Sequence, residues 1–150
     1  MPVLITLEII FRNINLSDEM KFSFKIRKKV FCEEQRISEE IEFDNLDHLC
    51  EHFLIYKENE AVGTARVRKK KDHLFKIERV AVLIEYRKLK AGSLLMNEII
   101  NYYIKKNKKI SIMLHSQVAV EGFYKSLNFT PYGDRFLEDG ILHIAMRHLN

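Results

Sequence analysis

Glycine is scarce in this chain of 150 residues, with Gly63, Gly92, Gly122, Gly133 and Gly140 the only five. No two of them stand two positions apart, which excludes the G-x-G-x-x-G fingerprint of dinucleotide sites. No pair has the spacing of a phosphate-binding P-loop either. HExxH, CxxC, GxSxG and EF-hand patterns are also missing. Cysteine is limited to Cys32 and Cys50, too few for a disulfide framework, so a reducing cytoplasm is expected. No apolar run approaches the roughly 18 residues of a membrane span, and the first residues lack the pattern of a secretory signal. These absences argue against an oxidoreductase with a dinucleotide cofactor, a P-loop NTPase, a zincin, a serine hydrolase and a membrane protein.

What is present suits a globular chain, with 47% hydrophobic and 31% charged residues, and its length predicts one domain over 1–150. The net charge is +4, but the signs are segregated. From Glu33 to Glu60 there are ten acidic residues against only Arg36 and Lys57. An acidic segment in a basic chain suggests one cationic and one anionic partner, although a solvated acidic loop has the same composition.

Residues 3–11 are β-branched and apolar and predict a first strand. Ser17 offers an N-cap for a helix running to about Gln35, followed by an aperiodic acidic stretch from Ile37 to Asp47. Strands are predicted at His52–Tyr56, Ala61–Arg68 and Leu74–Ile84, the first two joined by a turn at Glu58-Asn59-Glu60. A helix with Leu95, Ile99, Tyr102 and Tyr103 on one face follows, then a strand at Ile110–His115. Gln117–Leu127 has Val120, Phe123, Tyr124 and Leu127 at helical spacing. A hairpin, Phe129–Phe136 and Ile141–Leu149, closes an α/β chain with a mixed sheet.

The segment IERVAVLI (Ile77–Ile84) followed by RKLKAG (Arg87–Gly92) is a strand feeding a basic turn that opens a helix. Unpaired N–H groups and the helix dipole make such a start an anion site, to which Arg87, Lys88 and Lys90 add charge. An ordinary strand–turn–helix with a solvated basic turn has the same spacing.

VAV followed by RKLKAG resembles the acetyl-CoA loop of the GNAT superfamily of N-acyltransferases, with Arg87 and Gly92 matching and Lys90 replacing a usual Gly. The stretch RKKVFCEEQRISEEIEFDNLD (27–47) and SQVAVEGFYKSLNFTPYGDRFLEDGILHIAM (116–146) resemble the start and end of its ElaA-like branch. The implied fold is a mixed, mostly antiparallel central sheet, flanked by helices, that splays open after the fourth strand. The resemblance assigns Val80, Ala81 and Val82 to the pantetheine arm of acetyl-CoA. It assigns Arg87, Lys88, Leu89 and Lys90, with Ala91, Gly92 and Ser93, to the pyrophosphate. A lysine at position 90 would serve with an ordinary negative φ.

The implied reaction is acetyl transfer to a primary amine by direct attack, with Tyr124 beside the leaving sulfur. On spacing alone Tyr124 belongs to the apolar stripe of its helix. Reference values near 10 for Tyr and 8.5 for a thiol make full proton transfer uphill by about 2 kcal/mol, which favours a hydrogen bond to the sulfur. Glu78, expected on the same strand face as Val80, and Glu34 are the candidate bases. The acceptor is expected to be a small-molecule or peptide amine, cationic if the acidic stretch borders it, with homodimer formation left open.

His48, Cys50 and His52 alternate along one strand, but the outer two would lie roughly 13 Å apart, so no metal is expected. RVRKKK (Arg66–Lys71) and KKNKK (Lys105–Lys109) would suit a non-catalytic module binding nucleic acid, although lysines at element ends are ordinarily solvated.

Overall fold

Residues 9–15 and 17–150 are described in the computed structural model, so most of the strand expected over 3–11 lies outside the described residues. Seven strands form one sheet in the order β1-β2-β3-β4-β5-β7-β6. They are β1 (Ile9–Asn13), β2 (Cys50–Lys57), β3 (Glu60–Lys71), β4 (Leu74–Val82), β5 (Ser111–Gln117), β6 (Phe129–Glu138) and β7 (Ile141–His148). All neighbours run antiparallel except β4 and β5. Two-residue turns set the hairpins: Glu58 and Asn59, then Asp139 and Gly140, take positive φ at both positions, whose twist matches the strands they join.

Helix α1 (Met20–Arg27) continues as a π-helical turn over Lys28–Glu34, where Gln35 N–H reaches Val30 O. It starts later than the expected Ser17 cap, because Ser17–Glu19 forms a turn in which the Ser17 hydroxyl accepts from Glu19 N–H. A short α2 (Glu39–Glu42) follows, capped by Ser38. Helix α3 (Ala91–Lys106) buries Leu95, Met96, Ile99 and Tyr103 against Phe53, Val67, Ile77 and Ile112 on one face of the sheet. The helix expected over Gln117–Leu127 is a strand end and a 3-10 turn before α4 (Glu121–Lys125), and Val120 is exposed rather than on the buried stripe.

On the other face, Ile26, Val30 and Phe31 of the first helix pack on Leu54 and Ala81. Beside this small core lies a buried ionic cluster. Arg66 of β3, 1% exposed, donates to Glu78 of β4 and to Asp44 and Asp47 of the acidic stretch, at 2.6–2.9 Å. Arg27, also 1% exposed, holds Glu42 and Asp47 at 2.8 Å. Arg79 reaches Glu42 at 3.0 Å and Asp44 at 3.3 Å. The acidic segment is thus pinned to the sheet by arginines. Glu42, Asp44 and Asp47 have internal partners, whereas Glu39 and Glu40 of the same stretch are exposed.

β4 carries a bulge. Thr64 pairs with Ala81 and Arg66 with Glu78, so two residues, Arg79 and Val80, oppose Ala65 alone. Arg79 takes φ 55° there. The extra residue reverses the alternation: Glu78 meets the ionic cluster, while Val80 packs with the α3-side core. The expectation that the two share a face is therefore incorrect. β4 and β5 pair only from Leu74↔Ser111 to Ile77↔Leu114 and then diverge, as expected for a sheet that splays after its fourth strand.

Arg66 holds Asp44 well below the usual carboxylate range. Burial pushes Asp47 and Glu78 up, but the guanidiniums around them leave both lowered. Lowered carboxyls stabilise the fold above their unfolded values near 4 and lose that contribution as pH falls through the folded ones. Arg66→Met is expected to cost about 3–5 kcal/mol in urea unfolding at pH 7, because it strands buried carboxylates. The loss of stability between about pH 4 and pH 2 should flatten in the variant. Parental stability and an unchanged acid slope would show that the cluster contributes nothing.

Candidate active site

Where β4 and β5 separate, a cleft of about 710 Å³ opens between the start of α3, the β4 bulge and the β6–β7 hairpin. Glu78, Val80, Ala81, Val82 and Tyr124 line it, as do Arg87, Lys90, Gly92 and Ser93. Glu34, Lys88, Leu89 and Ala91 are not among its lining residues.

At the helix start, Leu94 N–H bonds to Lys90 O, which leaves the N–H groups of Ala91, Gly92 and Ser93 without helical acceptors. Lys90 takes φ 60°, the left-handed conformation that Gly adopts freely, and not the negative φ expected for a lysine. A Cβ on Gly92 would meet the Phe123 ring at 3.3 Å, so this glycine also lets α3 approach α4. Arg87 is committed within the protein: its Nε donates to Val82 O at 2.9 Å, and its two terminal nitrogens grip Glu34 at 2.7 Å. Its guanidinium thus fastens the loop to β4 and to the first helix.

That pairing also bears on Glu34 as a base, since the hydrogen bonds from Arg87 lower its carboxyl. Glu78 is more constrained still. Arg66 donates twice to one oxygen, and Arg68 and Lys76 lie 2.9 and 3.4 Å from the other.

Tyr124, 9% exposed, packs edge-on against Phe123 and Phe129. Its hydroxyl has no hydrogen-bond partner among the described residues, and burial pushes its ionisation well above the ordinary value.

Three residues without a sequence-based role complete the far end of the cleft. His115 Nδ1 lies 3.3 Å from Glu138 Oε1, and His143 Nε2 lies 3.6 Å from Oε2. The hydrogen bond from His115 draws the Glu138 carboxyl down to about 2. His115 ends a predicted strand, and a polar residue there was the available signal.

Arg66 and Arg68, which head the first basic run, are turned into the ionic cluster and are not free for phosphates. Cys50 Sγ donates to Leu46 O and His52 Nε2 to Asp47 O, so both bond to backbone carbonyls.

The sequence model of the acetyltransferase (GNAT) domain matches residues 18–149. Bacillus subtilis YyaT is 38% identical over 138 residues, covering 90% of this chain and 92% of that protein. Escherichia coli ElaA is 33% identical over 125 residues, covering 81% and 82%. The ElaA crystal structure matches with a TM-score of 0.82 at 28% identity, covering 95% of this chain and all of that one (100%). A GNAT family acetyltransferase from Elizabethkingia anophelis, solved with acetyl-CoA bound, shares the fold with a TM-score of 0.69 at 14% identity, covering 93% and 97%.

The left-handed Lys90 yields a test of the loop. Lys90→Val should lower stability by about 1–2 kcal/mol in urea unfolding, because a branched Cβ clashes at positive φ. Lys90→Gly should stay within about 1 kcal/mol of the parent, as relief of strain offsets added chain entropy. Equal losses in both variants would mean that the lysine side chain, and not the backbone, shapes the turn.

Proposed function

This chain belongs to the GNAT acetyltransferase family, and on that premise we propose that it transfers acetyl from acetyl-CoA to a primary amine by direct attack. The observation that carries this reading is the cleft between the parted β4 and β5 strands, with Tyr124 among its lining residues. The N–H groups of Ala91, Gly92 and Ser93 receive the pyrophosphate, with Lys88 and Lys90 adding charge. Backbone groups of Val80 and Val82 hold the pantetheine amides as a substitute strand. A β4 N–H at the bulge donates to the thioester carbonyl oxygen as negative charge develops on it.

The amine nitrogen forms the C–N bond as the C–S bond breaks, and the Tyr124 O–H donates to the departing sulfur. Burial raises the Tyr124 ionisation, so donation of a hydrogen bond, and not full proton transfer, is the role that fits. The acceptor is a small-molecule or peptide amine. The free thiols of Cys32 and Cys50 suit a reducing cytoplasm. A basic module binding nucleic acid is disfavoured by the internal pairing of Arg66 and Arg68.

Calorimetry should detect acetyl-CoA binding that is insensitive to moderate salt, and its absence would defeat this reading. Tyr124→Phe keeps the packed ring and removes only the hydroxyl. Its single-turnover rate should fall about 10- to 150-fold, equivalent to the 1.5–3 kcal/mol of a hydrogen bond to a charged group. Acetyl-CoA affinity should hold, since the bond strengthens as the sulfur departs. Full single-turnover activity in the folded variant would remove Tyr124 from the mechanism.

A further inference from the structure

An amine that attacks a thioester must lose a proton, and the two carboxylates that the sequence offers as bases are poorly placed to take it. Both oxygens of Glu34 grip Arg87, and Glu78 is surrounded by Arg66, Arg68 and Lys76. A carboxylate held by cations is a weak base. The opposite wall differs. His115 stands one residue beyond Leu114, the last β5 residue paired with β4, where the strands part. It lines the cleft, and its side chain is 26% exposed.

Glu138 can only accept at Oε1, so the facing His115 Nδ1 carries the hydrogen and the neutral ring has its lone pair on Nε2. A base whose second nitrogen is fixed by a carboxylate is a recurrent catalytic pairing. Beside Glu138, His143 Nδ1 donates to Ile141 O at 2.7 Å, and the Phe136 ring lies edge-on to His115.

We propose that His115 Nε2 takes the proton of the attacking amine, with Glu138 as the positioning residue that fixes its tautomer and stabilises the imidazolium. This rests on the acetyltransferase reading and deepens it. The proton passes from the ammonium to Nε2 and then to solvent. The amine lone pair forms the C–N bond, the C–S pair leaves with sulfur, and the second proton shed by the acylated nitrogen passes through solvent to the thiolate. The titratable or charged residues that line the cleft with His115 include Glu138 from β6, His143 from β7, Asp139 from the turn between them, Arg68 from β3, and Lys76, Glu78 and Arg79 from β4.

The test is His115→Asn, which keeps a donor toward Glu138 and removes Nε2. At neutral pH its kcat/KM for an amine that the parent acetylates should fall by about 10²–10⁴-fold, with the KM for acetyl-CoA unchanged. The deficit should shrink as pH rises toward the amine's own value near 10, where the free amine needs no base. Glu138→Gln should show a smaller loss with the same trend. A deficit constant across pH, or none, would overturn the assignment. Nitrogen-15 NMR of the parent should find neutral His115 protonated on Nδ1; an Nε2–H tautomer overturns the dyad whether or not an acceptor is found. A parent that acetylates no amine defeats the transferase reading, while the tautomer still judges the dyad.

Discussion

The guanidinium of Arg66 is the contact on which the acidic side of the cleft depends. It sits 1% exposed inside the sheet and joins β3 to Glu78 of β4 and to Asp44 and Asp47 of the segment before β2. Three carboxylates brought together without it would repel one another in a medium of low polarity. With Arg27 and Arg79 added, the segment between the first helix and β2 is fixed against the sheet although little apolar surface holds it. Ion pairs of this kind do not make a fold stable by themselves, but they specify where a segment sits, because each unmatched charge is costly.

That fixing reaches the cleft through one backbone feature. Arg79 occupies a left-handed conformation at the β4 bulge, a strained state for a residue with a side chain. Its guanidinium is meanwhile anchored on Glu42 and Asp44. The anchor and the strain oppose each other. The bulge directs Val80 toward one face and Glu78 toward the other, and it leaves backbone groups free beside the gap between β4 and β5. The acidic segment thus supports the shape of the cleft more than its charge.

Much of the architecture is legible in the sequence, because the apolar run Phe53–Tyr56, the alternation from Thr64 to Arg68 and the helical spacing from Leu95 to Tyr103 report local geometry. The phosphate-loop resemblance of Arg87–Gly92 likewise falls at the start of α3. The bulge is not legible. Nothing in an arginine announces positive φ, and one extra residue inverts every face assignment made by counting in twos. The ionic cluster is hidden for another reason. Arg66 lies 19 and 22 residues from Asp47 and Asp44, and such pairing follows from the fold and not from local pattern. His115 and Glu138, 23 residues apart on different strands, are brought together by the same long-range folding.

The short ladder between β4 and β5 also governs how the molecule comes together. Strands β1 to β4 form one set of antiparallel neighbours and β5 to β7 another, and only four paired positions, Leu74 to Ile77 with Ser111 to Leu114, join them directly. That parallel join encloses the whole of α3, a long loop whose closure is entropically slow compared with a hairpin. The cleft is the seam between the two sets. Val80 and Glu78 belong to one side, and His115, Tyr124 and Glu138 to the other. The residues that line the cleft therefore come from both sets, and a disturbance that parts the seam separates its two walls while most of the strands remain paired.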